Sequence, residues 1–385
     1  MTFHFTTLRT FNLSEARMFK FFSKNLYEVE PGAFGLDISD ESFKFIQLKI
    51  RGDNVKLAAF GFGDFPKGLI TEGEIKNEQA AADILTAALR KPAQGKLITR
   101  FVVCSLPEEH SFIRVLQLPP MAESEVSEAI KLEIEQSIPL HINDACYDYQ
   151  ILNSPNQKIQ HLDVLTSAAP KKMADGYISL MQKCGLRLKS LEVESVAVSR
   201  ALVEKGVSAD PILIIDLGAT RTSFIIFSGS GLQFTSSVPV AGNKMIEMIM
   251  EHTNTDRKEA KRLFYDVGLD KSADGGITFN IIESIIKDLV EQIKNYISFY
   301  ESHSMHEHSL SGRPAVKKIL LCGGASNLTG LNVYLSLALK IPVEIGNPWI
   351  NILKPPLKEV PGMTFRMSLS YTTALGLALS GLQKT

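Results

Sequence analysis

The sequence predicts an α/β protein made of two halves with similar element order and a small α+β unit inserted into the first half. Two apolar runs support this prediction. Each ends in an aspartate and a short polar turn before a second β-rich run, at 35–48 and at 211–229. A third apolar run, 319–322, ends in two glycines and leads into a helical pattern. Apolar runs of this length, bounded by turn residues, are typical of buried strands.

The stretch 211–231 carries the strongest signal for a binding site. Its first strand ends at Asp216, and a tight turn, Gly218-Ala219-Thr220, precedes a returning strand that begins at Thr222. Glycine allows backbone N–H groups to approach an anion closely, and successive N–H groups can form an anion-binding nest. Asp216 would hold a hydrated Mg²⁺ beside the phosphates. Taken alone, the segment also fits an ordinary buried hairpin.

Two further segments repeat parts of this pattern. Upstream, Asp37 precedes a polar turn and a strand that contains Lys44. Downstream, the glycines at 323–324 would let the backbone pack flat against a nucleoside. The order and wide spacing of the three pieces predict one nucleotide site, in which Asp37 and Asp216 hold Mg²⁺ through water. The candidate residues are Asp37, Ser39, Lys44, Asp216, Gly218, Ala219, Thr220, Thr222, Gly323, Gly324, Ala325 and Ser326.

These motifs resemble the phosphate and adenosine motifs of the actin-like ATPases, a superfamily that includes actin, sugar kinases, heat-shock chaperones and the cell-division protein FtsA. A second block is more specific: Leu118-Pro119-Pro120, an acidic helix, Ser137-Ile138-Pro139-Leu140 and Tyr147-Asp148-Tyr149. It resembles the PilM family of type IV pilus assembly, in the FtsA-like branch. The resemblance covers about 34–382. It implies an actin-like fold of two ribonuclease-H-like domains with an inserted small α+β subdomain in the first.

Several residues depart from the pattern that the resemblance implies. Ser39 stands where the first phosphate loop has glycine, and Asp40 and Glu41 follow, although carboxylates beside a triphosphate would repel it. The nucleotide-facing helix of the superfamily has a glutamate and a lysine where this chain has Lys261 and Phe264. The expectation is therefore that any ATP and Mg²⁺ bind at a degenerate site, with weak or absent turnover.

The order of elements sets the expected domain boundaries. The β-β-α-β order of the first half and the β-α-β-β-α-β order after it separate a core from an insertion. The segments expected are a leader at 1–33, a first domain at 34–110 completed by 194–210 and 365–385, an inserted subdomain at 111–193, a second domain at 211–245 and 316–364, and its helical subdomain at 246–315.

Periodicity and caps predict the individual elements. Apolar residues recur at helical spacing over 279–303, and the helix over 121–136 has early acidic residues and a stop at Pro139. The predicted strands are 43–50, 55–62, 98–105, 111–118, 147–152, 161–168, 187–193, 212–216, 222–227 and 316–321. The predicted helices are 77–89, 121–136, 171–184, 196–205, 241–253, 256–267, 279–303, 330–339 and 370–382.

Composition limits the function classes. With 45% hydrophobic and 22% charged residues, the chain is typical of a soluble globular protein, and a net charge of −1 argues against a general nucleic-acid binder. The four cysteines have no CxxC spacing, which argues against zinc and against a disulfide framework. The histidines at 303–308 fit a solvated loop better than a metal site. No apolar window is long enough to span a bilayer.

The leader leaves two questions open. Its pattern from Leu13 to Tyr27 is amphipathic and fits a helix on a membrane surface, but a disordered or docked leader is the favoured interpretation. Translation from Met1 and from Met18 both remain open.

The resemblance implies a cytoplasmic scaffold of type IV pilus assembly at the inner face of the cell membrane. In that family the protein captures the short N-terminal cytoplasmic peptide of the inner-membrane protein PilN, in a groove between the first domain and the inserted subdomain. Contact with other pilus assembly components and, through the partner, with the membrane is also implied. The alternatives are an active ATPase or small-molecule kinase, and an FtsA-like division protein. The short end after Leu382 argues against the last. No Ser/His/Asp arrangement, Walker loop, HExxH motif or orienting base stands out in the sequence.

Overall fold

A computed structural model describes residues 32–52, 54–138, 140–152, 161–303, 315–353 and 362–382. Residues 1–31 of the expected leader, Pro139, the histidines at 306 and 308, and the last three residues lie outside the described part. Elements are numbered in chain order.

The strands are β1 (Phe34–Ile38), β2 (Ser42–Arg51), β3 (Asn54–Asp64), β4 (Ile70–Thr71), β5 (Glu74–Ile75), β6 (Gln94–Gly95), β7 (Phe101–Leu106), β8 (Phe112–Leu118), β9 (Ala145–Ile151), β10 (Leu162–Pro170), β11 (Arg187–Val193), β12 (Ser208–Leu217), β13 (Thr222–Gly229), β14 (Gly231–Val238), β15 (Lys318–Cys322) and β16 (Val343–Ile345). The helices are α1 (Glu78–Arg90), α2 (Glu123–Ser137), α3 (Lys171–Lys183), α4 (Glu194–Leu202), α5 (Gly242–Thr253), α6 (Arg257–Arg262), α7 (Ile277–His303), α8 (Leu331–Leu339), α9 (Phe365–Ser368) and α10 (Thr372–Leu382).

Two large sheets repeat the same pairing pattern. The first has the order β11-β7-β1-β2-β3-β6, and the second has the order β14-β13-β12-β15-β16. In each, a central strand pairs antiparallel with the next strand in the chain and parallel with a later one: β1 with β2 and β7, and β12 with β13 and β15. Asp37 and Asp216 are each the penultimate residue of that central strand. The two halves therefore present equivalent aspartates at equivalent strand ends.

Helices cover both faces of each sheet, so that the central strands are almost wholly apolar. One face of the first sheet packs against α1 and α3, and the other face packs against α10. The second sheet buries one face under α5, α7 and α8. Its other face packs against Val196, Val198 and Leu202 of α4. Helix α4 also contacts α10, so it forms the wall that the two domains share.

The inserted subdomain is smaller than the sequence order suggested. Its sheet has the order β8-β10-β9 and is covered by α2. The subdomain was expected to extend to residue 193, but it ends earlier. Strand β11 pairs in parallel with β7, and α3 packs against α1, so α3 and β11 belong to the first domain. The order of elements along the chain is the same whether α3 and β11 belong to the subdomain or to the first domain, so only the strand pairing shows where the subdomain ends.

The inserted subdomain also shares a core with the second domain. Ile113, Leu152 and Leu165 belong to the same buried cluster as Phe227 and Leu232 of the second sheet. The side chain of Leu152 lies so close to Gly231 that a Cβ added there would come within 2.8 Å of it. The three units therefore share one apolar core in which α4 takes part.

Several elements differ from the sequence prediction. Strands β14 and β16 are not among the predicted strands, and the helix expected over 196–205 is α4, Glu194–Leu202. The strand expected to start at Ile98 begins at Phe101, and the side chain of Ile98 is 72% exposed. The helix expected over 256–267 is α-helical only to Arg262 and ends in a π turn at Leu263–Val267. Gly268, with φ 56°, follows this turn, which explains why the helix stops there.

The contact of α10 with α4 yields a stability prediction. A Cβ added at Gly376 would lie 1.8 Å from the carbonyl oxygen of Ala197, whereas one added at Gly176 in α3 meets nothing within 4 Å. We expect Gly376→Ala to lower the free energy of unfolding by about 3 kcal/mol or more, because the two helices must separate. Gly176→Ala, the matched control, should raise it by about 0.5–1 kcal/mol. Denaturant unfolding measures both, and equal effects would contradict the close packing.

Candidate functional site in the cleft between the two domains

A cleft of about 430 Å³ lies between the two domains, at the ends of the two central strands. The structure brings most of the sequence candidates together on its walls. Those that line the cleft are Asp37, Ser39, Lys44, Asp216, Gly218, Ala219, Thr220, Gly323 and Gly324. Their role in nucleotide binding stays a prediction, but their convergence from three distant segments is a property of the fold.

The other three candidates do not line this cleft. The hydroxyl of Thr222 donates to the carbonyl of Val240 inside the second domain. Ala325 is buried, and Ser326 donates to the carbonyl of Gly323 at 2.7 Å. Ser326 therefore completes a local turn, whereas Thr222 connects the start of β13 to the segment that precedes α5.

Asp37 lies at the floor of the cleft, opposite Lys44 on the neighbouring strand. The two residues form a directly opposed pair in the β1–β2 ladder, which brings the charge of Lys44 near enough to act on the carboxylate. The surrounding protein limits hydration and raises the pKa of Asp37, while the charge of Lys44 and a hydrogen bond from Ser105 partly offset this rise. Ser105 also accepts from the backbone N–H of Ile38 at 2.9 Å, which fixes the end of β1.

Asp216 occupies the equivalent place in the second domain. Limited hydration, followed by the charge of Asp37, raises the pKa of Asp216 to about 7, with Lys44 opposing the rise. Gly323 lies against this side chain with φ 85°, and a Cβ there would come within 2.3 Å of the Asp216 Oδ1 atom. Only glycine therefore permits this approach of the third segment to the carboxylate.

Glu194 is a further carboxylate in the cleft that the sequence did not indicate, and Asp64 and Glu109 also line the cleft. Glu194 is the first residue of α4 and lines the cleft with the two aspartates. Limited hydration and the negative charges of Asp37, Glu109 and Asp216 raise its pKa well above the usual value. The only local signal is an acidic residue where a buried strand passes directly into a helix, and that signal does not reveal what lies opposite.

The carboxylates of Asp40 and Glu41 each have hydrogen-bond donors of their own, although Asp40 lines the cleft. The backbone N–H groups of Glu72 and Gly73 both donate to Asp40 at 2.9 Å. Glu41 accepts from the Asn243 side chain at 2.9 Å and lies 3.8 Å from the Lys67 ammonium group. The repulsion expected from the sequence is therefore reduced, because each carboxylate has its own donors.

The helix expected to face the nucleotide does not contribute to the cleft walls. Ala260 and Phe264 are buried in the core of the second domain, and Lys261 is exposed. None of them lines the cleft. Phe264 therefore has a packing role where the resemblance implied a base-contacting lysine.

The donor set fits a hydrated cation. Within the described ranges, no three His, Cys, Asp or Glu side chains come close enough to hold a metal ion directly. The carboxylates of Asp37, Glu194 and Asp216 would nevertheless be stabilised by a divalent cation, held through water by the two aspartates. Its charge would add to those of Lys44 and Arg221 on the cleft walls. The turn that begins at Gly218 supplies backbone groups for an anion on the same cation.

The raised pKa of Asp216 predicts how stability depends on pH in the absence of divalent cations. Its pKa is higher in the folded than in the unfolded chain, so stability falls as pH rises from about 4 to about 7. Asp216→Asn cannot ionise, so we expect a flatter profile and a free energy of unfolding about 1–2 kcal/mol higher at pH 8. Urea unfolding in EDTA measures this. Asp175→Asn, at an exposed position, is the control. A steeper or unchanged pH profile for Asp216→Asn would contradict the raised pKa of Asp216 in the folded chain.

Comparisons with known proteins place the fold. A chain of a solved PilM–PilN type IV pilus biogenesis complex is 24% identical, with a TM-score of 0.73 over 92% of this chain and 99% of that one. MreB5 of Spiroplasma citri, solved bound to ADP, is 13% identical, with a TM-score of 0.51 over 89% of this chain and 95% of that one. The predicted actin-like fold is confirmed.

Sequence comparisons agree with this fold. FtsA of Pseudomonas aeruginosa is 22% identical over 222 residues, which are 53% of this chain and 50% of that protein. The chain spans about half the length of the curated relatives it matches. In the part of the chain that the structure describes, no helix combines the length and the apolar character needed to cross a membrane. The model of the type IV pilus assembly protein PilM family matches residues 35–382. This match confirms the resemblance, and the chain therefore belongs to the PilM family of type IV pilus assembly proteins.

Proposed function

We propose that this protein is a cytoplasmic scaffold of type IV pilus assembly that binds the short cytoplasmic peptide of a PilN-like inner-membrane protein. Through that partner it would sit at the inner face of the cell membrane and contact other pilus assembly components. The family match over 35–382 supports the process. The likeness to a chain of the PilM–PilN complex, over 99% of that chain, supports the partner class.

The observation that carries the proposal is a second cavity, which we call the back crevice. It has a volume of about 510 Å³ and lies where the first domain, the inserted subdomain and the second domain meet. Its walls are Ile50, Val55, Leu379 and Leu382 from the first domain's strands and helix α10, Gln150 from β9, Phe227 and Ser230 from the second domain, and Ser199, Arg200, Lys205, Gly206 and Asn351 around the end of α4.

The chemistry of the back crevice suits an extended peptide. Its apolar walls offer places for side chains, while the Oε1 atom of Gln150 and the Oγ atom of Ser199 are buried without a hydrogen-bond partner among the described residues. Buried polar atoms are normally paired, because an unpaired one loses its hydration without compensation. The backbone groups of a bound peptide would supply those partners, as in other complexes that capture extended segments.

Substitution at the rim of the back crevice tests this site. Ile50 lines the crevice and its side chain is 63% exposed, so Ile50→Glu should leave folding intact. We expect it to weaken binding of the partner's cytoplasmic peptide by roughly tenfold or more, because a charge replaces an apolar contact worth about 1.5–3 kcal/mol. Isothermal titration calorimetry with that synthetic peptide measures the affinity.

Ile98→Glu is the matched control, since Ile98 is 72% exposed on the same domain and does not line the back crevice. Gln150→Leu adds a test on the inserted subdomain and should weaken binding by about fivefold through the lost acceptor. Equal affinities for the Ile50 and Ile98 variants would remove the back crevice from the proposal. Deleting 111–193 is a poorer test, because it would also remove β11 from the first sheet.

We also infer that the interdomain cleft takes a magnesium nucleotide with little turnover. The convergence of Asp37, Asp216 and the turn at 218–220 supports binding. The burial of Ala260 and Phe264 in the core, where the resemblance implied nucleotide contacts, supports low turnover. Mg²⁺ would supply positive charge between the carboxylates and the phosphates. Lys44 and Arg221 on the cleft walls would orient the phosphates, although Arg221 lies 3.3 Å from Glu109.

Calorimetry with Mg-ATP and a phosphate-release assay test this inference. We expect measurable binding, weakened most by Asp216→Ala because one metal-facing carboxylate is lost, and fewer than a few turnovers per hour. A second candidate function, an active ATPase, is favoured by Glu194, since a carboxylate of raised pKa in such a cleft suits the orientation of an attacking water. Multiple-turnover hydrolysis that Glu194→Gln abolishes would establish that second function, and would overturn the inference of low turnover.

A further inference from the structure

The turn between β1 and β2 makes a polar contact between the two domains at the edge of the interdomain cleft, next to the cleft-lining residues Asp40 and Ala219. Glu41, on this turn, accepts a hydrogen bond from the side chain of Asn243, the second residue of α5, at 2.9 Å. The oxygen of the same amide accepts from Arg257, the first residue of α6, at 2.7 Å. Glu41 belongs to the first domain and the other two residues to the second. We call these three residues the cleft latch.

The first-domain side of the cleft latch is held rigidly. The backbone carbonyl of Glu41 accepts from the N–H of Phe65 at 2.9 Å, and Ser39 N–H donates to the carbonyl of Ser42 at 2.8 Å. Asp40, between them, is bound by two backbone N–H groups of the neighbouring β4–β5 turn. The conformation of the turn is thereby fixed, and it aims the Glu41 side chain at the second domain.

The second-domain side is attached to the loop that lines the cleft. Backbone N–H groups at the start of α5 donate to that loop, Gly242 to Gly218 at 3.1 Å and Asn243 to Ala219 at 2.9 Å. A movement of the loop at 218–220 therefore moves Asn243 as well. The position of the Glu41 contact consequently depends on the same backbone that faces the cleft.

We propose that the cleft latch holds the two domains closed when the cleft contains no nucleotide, and that it must release to admit one. Asp40 and Glu41, which depart from the family's phosphate-loop pattern, then each have a role. Asp40 stabilises the turn, and Glu41 accepts a hydrogen bond from the other domain. The Glu41 side chain is 32% exposed, so water can replace its partners and the contact can open reversibly. The closed state is thus encoded in the protein's own side chains.

Interdomain distance measurements test the closure. Spin labels on Thr71→Cys in β4 and Lys258→Cys in α6 report the separation between the two domains, in a background with Cys184→Ser. Without nucleotide, the cleft latch predicts one narrow distance distribution. Glu41→Ala and Asn243→Ala should each broaden it toward longer distances and raise the open fraction by about fivefold to tenfold, the effect of one charge-assisted hydrogen bond at a partly exposed site.

Two controls separate the cleft latch from a general loosening. Glu251→Ala removes a carboxylate from an exposed position of α5 and should leave the distribution unchanged. Glu41→Gln keeps an oxygen acceptor for Asn243 and should stay within about twofold of the wild-type open fraction. Thermal unfolding of each variant verifies that it is folded, and the two alanine variants provide independent routes to the same answer.

Access to the cleft supplies a second readout. Ser370 lines the cleft, so Ser370→Cys can be modified by a small thiol reagent only when the reagent enters. We expect modification about fivefold to tenfold faster with Glu41→Ala and unchanged with Glu251→Ala. Identical distance distributions and identical modification rates in the wild type and Glu41→Ala would overturn the proposal.

Discussion

The convergence of carboxylates in the interdomain cleft is the constraint on which the centre of this molecule depends. Asp37, Glu194 and Asp216 come from two domains and the helix between them, and the charge of Asp37 raises the pKa of both Glu194 and Asp216. Such a group is stable only with bound protons or a cation, because like charges with limited hydration repel strongly. Two neighbouring residues accommodate the carboxylates. Lys44 lies opposite Asp37 in the strand ladder, and Gly323 leaves room for a third segment to contact Asp216.

Helix α4 connects this acidic centre with the back crevice. Glu194 begins the helix in the cleft, whereas Ser199 and Arg200 lie in the crevice, roughly 8 Å away along the axis. Arg200 is held by a buried ion pair with Glu192 at 2.7 Å and by a hydrogen bond to the Gly376 carbonyl at 3.0 Å. These buried contacts hold the C-terminal part of the helix against the first domain, so the positions of Glu194 and Arg200 are fixed relative to each other.

The inserted subdomain completes this arrangement through shared packing. Its residues Ile113, Leu152 and Leu165 pack with the second sheet, while its chain enters and leaves from the first domain. The subdomain therefore bridges both domains through apolar packing, and the cleft latch bridges them through polar contacts. The two bridges differ in kind: an apolar core resists opening over its whole area, whereas a few exposed hydrogen bonds open easily.

The sequence by itself determined the two aspartate turns, the glycine pair, the order of most strands and most helix bounds, but it did not indicate β14 or β16. The features that it determined are local, since a strand's apolar run, a cap or a turn residue acts on its own neighbours. Tertiary structure alone decided three things. It assigned β11 to the first sheet through its pairing with β7. It placed Glu194 opposite Asp37 and Asp216. It gave Asp40 and Glu41 hydrogen-bond donors of their own. Each of these depends on which distant segments become neighbours, and a pattern of adjacent residues carries no information about that.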